Sequence, residues 1–81
     1  MSDDQEVRVD ARGLLCPMPV IRTGEAVEAA VPGTILEVRA SDPGALHDIP
    51  AWCRVNGHAL LETREEGDEI VVRLQVGAGG G

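Results

Sequence analysis

Apolar and polar residues alternate along the first patterned stretch of the chain. Val7, Val9 and Ala11 fall on one side and Glu6, Arg8 and Asp10 on the other, which predicts a half-buried β-strand. Arg12-Gly13 breaks the alternation. From about Pro17 to Ala30 the period changes, and Val20, Ile21, Ala26, Val27 and Ala30 recur at helical spacing. Gly24 costs that helix about 1 kcal/mol relative to alanine. After a Pro32-Gly33 turn, Thr34 to Ala40 alternates again, with Leu36, Val38 and Ala40 opposed to Ile35, Glu37 and Arg39. Ser41-Asp42-Pro43 reads as a helix start, Asp42 as its N-cap and Pro43 in the first turn. Leu46, Ile49, Trp52 or Cys53, and Val55 predict the inner face of that helix. Pro50 is expected to separate a short first turn from the rest, which runs to about Asn56 and is closed by Gly57. His58 to Arg64 and Glu69 to Val76 read as strands joined by a turn at Glu65-Glu66-Gly67-Asp68. In the last strand Ile70, Val72, Leu74 and Val76 share one face.

The predicted order is strand, helix, strand, helix, strand, strand. One clearly apolar sheet face and two helices to cover it predict an α+β protein. Its expected architecture is a two-layer α/β sandwich, βαβαββ, with a four-stranded mixed sheet and two helices on one face. The first strand-helix-strand unit should be a right-handed crossover between parallel strands, and the last two strands an antiparallel hairpin. The 81 residues suit one small domain at 7–76, between a flexible N-terminus at 1–6 and a Gly-rich flexible tail at 77–81. With no Phe or Tyr and one Trp, the core must be built from Val, Leu, Ile and Ala.

Seven Arg and no Lys face fourteen acids, a formal charge of -7, which argues against extended contact with nucleic acid. No apolar run approaches the ~18 residues of a membrane span. The opening Met1-Ser2-Asp3-Asp4-Gln5-Glu6 has neither the basic end nor the apolar stretch of a secretory signal, so a cytoplasmic location is expected. In a reducing compartment the two cysteines should not form a structural disulfide. Two cysteines and two histidines show no zinc-ligand spacing, and neither a metal nor a cofactor is expected.

Candidate chemistry concentrates in Gly13-Leu14-Leu15-Cys16-Pro17-Met18-Pro19-Val20. A C-x-x-C redox motif would place its resolving cysteine at position 19, where this chain has proline. The pattern suits a thiol that holds a group and hands it over. Cys16 lies within a turn of the predicted helix start, where unpaired N–H groups and the helix dipole should lower its pKa to about 7 or below. Met18 and Val20 are the expected free donors. Arg12 and Arg22 could add positive potential, and Asp10 would oppose it. The alternative reading is a non-catalytic redox-sensing or regulatory binding module using the same cysteine, or an inert buried one. Cys53 reads as a small core residue, His47 and His58 as surface or turn residues, and Glu62, Glu65, Glu66, Asp68 and Glu69 as a solvated hairpin.

The stretch Val9-Asp10-Ala11-Arg12-Gly13-Leu14-Leu15-Cys16-Pro17-Met18-Pro19-Val20 closely resembles the opening of the TusA/SirA-like sulfur-carrier family. The resemblance continues through Pro32-Gly33, Ser41-Asp42-Pro43, Asp48-Ile49-Pro50-Ala51-Trp52-Cys53 and Gly57-His58. It implies a small α/β sandwich that carries sulfane sulfur as a persulfide on Cys16, with Asp10, Gly13, Pro17 and Pro19 supporting the site. It also implies protein partners: a cysteine desulfurase or rhodanese-like donor, and an acceptor in tRNA thiolation, molybdenum-cofactor maturation or sulfur oxidation. The family's first helix often carries several basic residues, whereas here Arg22 is followed by Thr23, Gly24 and Glu25. A thiocarboxylate at the terminal Gly79-Gly80-Gly81 would be a different carrier chemistry, one whose proteins have another order of strands and helices.

Overall fold

The structure, a computed structural model, describes residues 6–77. Its elements are β1 (Glu6–Ala11), α1 (Met18–Glu28), β2 (Ile35–Ala40), α2 (Ala45–Asn56), β3 (Ala59–Glu66) and β4 (Glu69–Gln75). The strands form one sheet in the order β1-β2-β4-β3. β1 and β2 are parallel, with Val9 opposite Val38 and Ala11 opposite Ala40. β4 is antiparallel to both of its neighbours. The βαβαββ order and mixed sheet are those the sequence predicts.

Alternation decides which residues face the helices. Val9, Ala11, Leu36, Val38, Ala40, Ile70, Val72 and Leu74 form one sheet face, against which Ala45, Ile49 and Cys53 of α2 are buried. Val20, Ala26 and Val27 of α1 pack on the same core. The opposite face carries charge in rows across the strands. Arg8, Glu37, Arg73 and Glu62 are cross-strand neighbours of alternating sign. Glu37 accepts from Arg39 at 3.0 Å and Arg73 at 3.2 Å, which satisfies a carboxylate only 7% exposed. Arg39 reaches on to Glu66 and Glu69, both at 3.1 Å. Arg39 and Arg73 lie on this uncapped sheet face with their charges paired.

Several local expectations are corrected. α2 is continuous through Pro50, so no separate first turn forms. Proline inside a helix costs about 3 kcal/mol; burial of Ile49, Pro50 and Cys53 against the sheet offsets it. The N-cap of α2 is Gly44, not Asp42. Val55 is 84% exposed and Ile21 46% exposed, so neither lies on an inner face. In α1 the fully buried positions are Pro19 and Thr23, whose hydroxyl donates to the Pro19 carbonyl at 2.8 Å. His58 is buried, not a surface residue. Its ring stacks on Trp52 with centroids 5.2 Å apart, and its Nδ1 accepts the Gly77 N–H at 2.9 Å. Glu6 already belongs to β1 and Gly77 is tied to His58, while the rest of the expected flexible ends, 1–5 and 78–81, lies outside the described residues.

Candidate functional site

Because β1 and β2 are parallel neighbours, their C-terminal ends lie side by side, and the loops that follow meet. That end of a parallel pair is where open α/β sheets usually place chemistry. The β1–α1 loop turns at Gly13, whose φ of +79° favours glycine. Its N–H donates to Ser41 Oγ of the other loop at 2.8 Å. The Cys16 N–H donates to Asp42 Oδ2 at 2.7 Å, and Asp42 Oδ1 accepts the Gly44 N–H at 3.1 Å. Asp42 therefore closes an Asx turn and pins the cysteine loop to the start of α2. The Cys16–Pro17 peptide bond is cis. Cys16 is half-buried, flanked by Leu15 at 76% and Met18 at 42% exposure.

Gly44 leaves room for the thiol. A Cβ built there would lie 2.8 Å from Cys16 Sγ, 3.6 Å from Asp48 Oδ2 and 3.7 Å from Asp42 Oδ1. Sulfur and two carboxylates thus converge on the bare face of one glycine. Asp48 beside the thiol, partial burial and Asp42 together push the Cys16 thiol up to about 12. This overturns the expected value of about 7 or below.

Two structural facts explain the reversal. The helix-start donors are already used: Met18 N–H bonds Leu15 O at 2.8 Å, and Val20 and Ile21 N–H bond Pro17 O at 3.1 and 3.2 Å. The arginines are also engaged elsewhere. Arg12 binds Asp10 through Nε at 2.9 Å and Nη2 at 3.1 Å, which pulls the Asp10 carboxyl down to about 2. Arg22 donates to the Asp10 carbonyl at 3.1 Å.

Of the residues expected at the site, Cys16 and Gly13 lie at this loop junction, Pro17 is the exposed N-cap of α1, and Pro19 is buried in its first turn. Asp10 sits at the exposed end of β1 and is joined to Arg12. Sequence reasoning missed Ser41, Gly44 and Asp48, and assigned Asp42 a helix cap. The signal was present in Ser41-Asp42-Pro43 and Asp48, two short polar stretches on either side of a glycine. Cys53 is fully buried, as expected of a core residue, and burial pushes its thiol up to about 11. Among the described residues no group of three or more His, Cys, Asp or Glu could hold a metal ion, and no helix is long and apolar enough to cross a membrane.

Fold and site together define a small two-layer α+β protein with one partly exposed cysteine at a loop junction and a second cysteine sealed in the core. The family model described as "Sulfurtransferase TusA" matches residues 7–76, and the chain belongs to that family. It is 48% identical to YrkI of Bacillus subtilis over 69 residues, 85% of this chain and 92% of that protein. It is 42% identical to the sulfur carrier protein TusA of Allochromatium vinosum over 67 residues, 83% and 86% of the two chains. The crystal structure of a SirA-like protein from Desulfitobacterium hafniense superposes with a TM-score of 0.76 at 25% identity, covering 88% of this chain and 97% of that one.

Proposed function

We propose that this chain is a cytoplasmic sulfur carrier that holds sulfane sulfur as a persulfide on Cys16 and relays it between two proteins. The observation that carries the reading is the contrast between the two thiols: Cys16 is accessible at a loop junction, whereas Cys53 is sealed in the core. In loading, Cys16 Sγ attacks the terminal sulfur of a donor cysteine persulfide. The donor S–S bond breaks, and the donor thiolate leaves and takes up a proton equivalent to the one Cys16 has lost. In delivery, an acceptor thiolate attacks the same sulfur, and Cys16 leaves as thiolate and is reprotonated. No net oxidation occurs and no cofactor is required. A cysteine desulfurase or rhodanese-like protein fits the donor role. Exposed Leu15 and Met18, near Cys16 in the chain, and Ile21 further along α1 offer apolar surface for docking.

Redox sensing fits less well, because oxidation follows thiolate character and this thiol is held protonated. The test is transfer of labelled sulfur from a desulfurase to wild type and to Cys16→Ser, with circular dichroism as the folding control. The variant should fold and carry no sulfur. A folded Cys16→Ser protein that still accepts and delivers label refutes the reading.

A further inference from the structure

Two carboxylates stand where a positive field was expected. The bonds that Asp42 accepts from the Cys16 and Gly44 N–H groups give it a structural purpose. Asp48 is the acidic residue in the first turn of α2; among the described residues it forms no salt bridge, and its carboxylate oxygen comes within 3.6 Å of the same vacant point that lies 2.8 Å from Cys16 Sγ. It is held there by α2, its N–H bonded to Gly44 O at 2.9 Å. The other charged groups around the junction offer little compensation. Arg12 and Asp10 at the end of β1 neutralise each other, Arg22 of α1 is bound to the Asp10 carbonyl, and His47 is exposed on α2.

We infer that Asp48, together with Asp42, is a positioning residue that keeps the unloaded Cys16 protonated and makes the loaded cysteine slow to surrender its sulfur to stray thiols. The second half rests on the proposed carrier role; the first rests on the thiol alone. A negative charge beside a thiol disfavours the thiolate. In the unloaded carrier this suppresses the nucleophile. In delivery the electron pair of the broken S–S bond must settle on Cys16 Sγ beside two carboxylates, and a thiol of higher pKa is the slower leaving group. The same charges therefore oppose reaction in both directions. A protein partner that sets a cationic side chain against the two carboxylates removes that opposition, so transfer follows docking.

The test is the rate of Cys16 alkylation by iodoacetamide from pH 6 to 11, located by peptide mapping, in wild type, Asp48→Asn and Asp48→Glu. Removing one carboxylate raises the thiolate fraction but lowers its nucleophilicity, so a net acceleration of about fivefold at neutral pH is expected for Asp48→Asn. Its inflection should move down, and Asp48→Glu should stay near wild type. Carrier loaded from a polysulfide should lose its sulfur to glutathione faster in Asp48→Asn. A folded Asp48→Asn protein with an unmoved inflection overturns the inference. Should that variant not fold, wild-type alkylation at rising ionic strength decides: screening should accelerate it, and a flat rate overturns the inference. Cys16 that never accepts sulfur, with the Asp48→Asn inflection shifted, refutes the carrier role and leaves the proton-holding role standing.

Discussion

Gly44→Ala perturbs the thiol by shape alone, with no change of charge. The backbone at Gly44, φ -59° and ψ -26°, accepts alanine without strain. Fewer conformations in the unfolded chain would by themselves add about 0.4–1 kcal/mol of stability. Against this, the new Cβ would stand 2.8 Å from Cys16 Sγ. Ordinary contacts begin near 3.5 Å, so the sulfur must retreat by roughly 0.7 Å. Cys16 has one side-chain torsion with which to do so, and an off-rotamer setting costs about 0.5–1.5 kcal/mol. The two effects nearly cancel, and stability should stay within about 1 kcal/mol of wild type, a melting shift of no more than about 4–8 °C. Reactivity should not stay level. A sulfur that leaves the point on which Asp48 and Asp42 also converge should lose part of their field, so the thiol pKa should fall and alkylation near pH 7.5 should accelerate several-fold. Alkylation against pH, with thermal unfolding followed by circular dichroism, measures both quantities. Unchanged stability with unchanged reactivity would refute the placement of the sulfur over Gly44. A loss above about 3 kcal/mol would show that the loop cannot yield.

Cys53→Ala should lower stability by about 1–2 kcal/mol, the loss of a fully buried sulfur and the small cavity it leaves, while sulfur loading on Cys16 continues; loss of loading in the folded variant refutes the core assignment. On the acid side, Asp10 is lowered to about 2 by Arg12; Asp42 is held below its ordinary value by the N–H groups of Cys16 and Gly44, and Glu66 below its own by Arg64 and Arg39. Their contribution is complete above the ordinary carboxylate values of 3.8 and 4.5 and is lost as pH falls toward about 2, so unfolding should ease steadily through that range. On the alkaline side the sign reverses. Cys16 and Cys53 are raised from 9.0 to about 12 and about 11, so the unfolded chain releases these protons first and stability should fall as pH rises above about 9. Melting temperatures across both ranges check this, and a flat profile from pH 9 to 11 refutes the alkaline half.

The alternation of Leu36, Val38 and Ala40, and of Ile70, Val72 and Leu74, was enough to place β2 and β4 and the face each buries. A period of two leaves one inner face once the other is charged. Gly57 as the cap of α2 was equally legible, because its left-handed φ of 79° suits glycine. The position of Cys16 in the loop before α1 was legible from its local motif, and so was the proline three residues on. The bury-or-expose choice at Ile21, Val55 and His58 was not. A helix face is fixed by what packs against it, and His58 is buried because Trp52 and Gly77 happen to meet it. Least legible of all was the charge on the thiol. Reading along the chain, the nearest features to Cys16 are a helix start and two arginines, and all of them favour a thiolate. Only the pairing of β1 with β2 brings Asp42 and Asp48, 26 and 32 residues away along the sequence, to the sulfur. Electrostatic interaction depends on distance through space, so the motif singled out the thiol, and the tertiary structure determined which charges surround it.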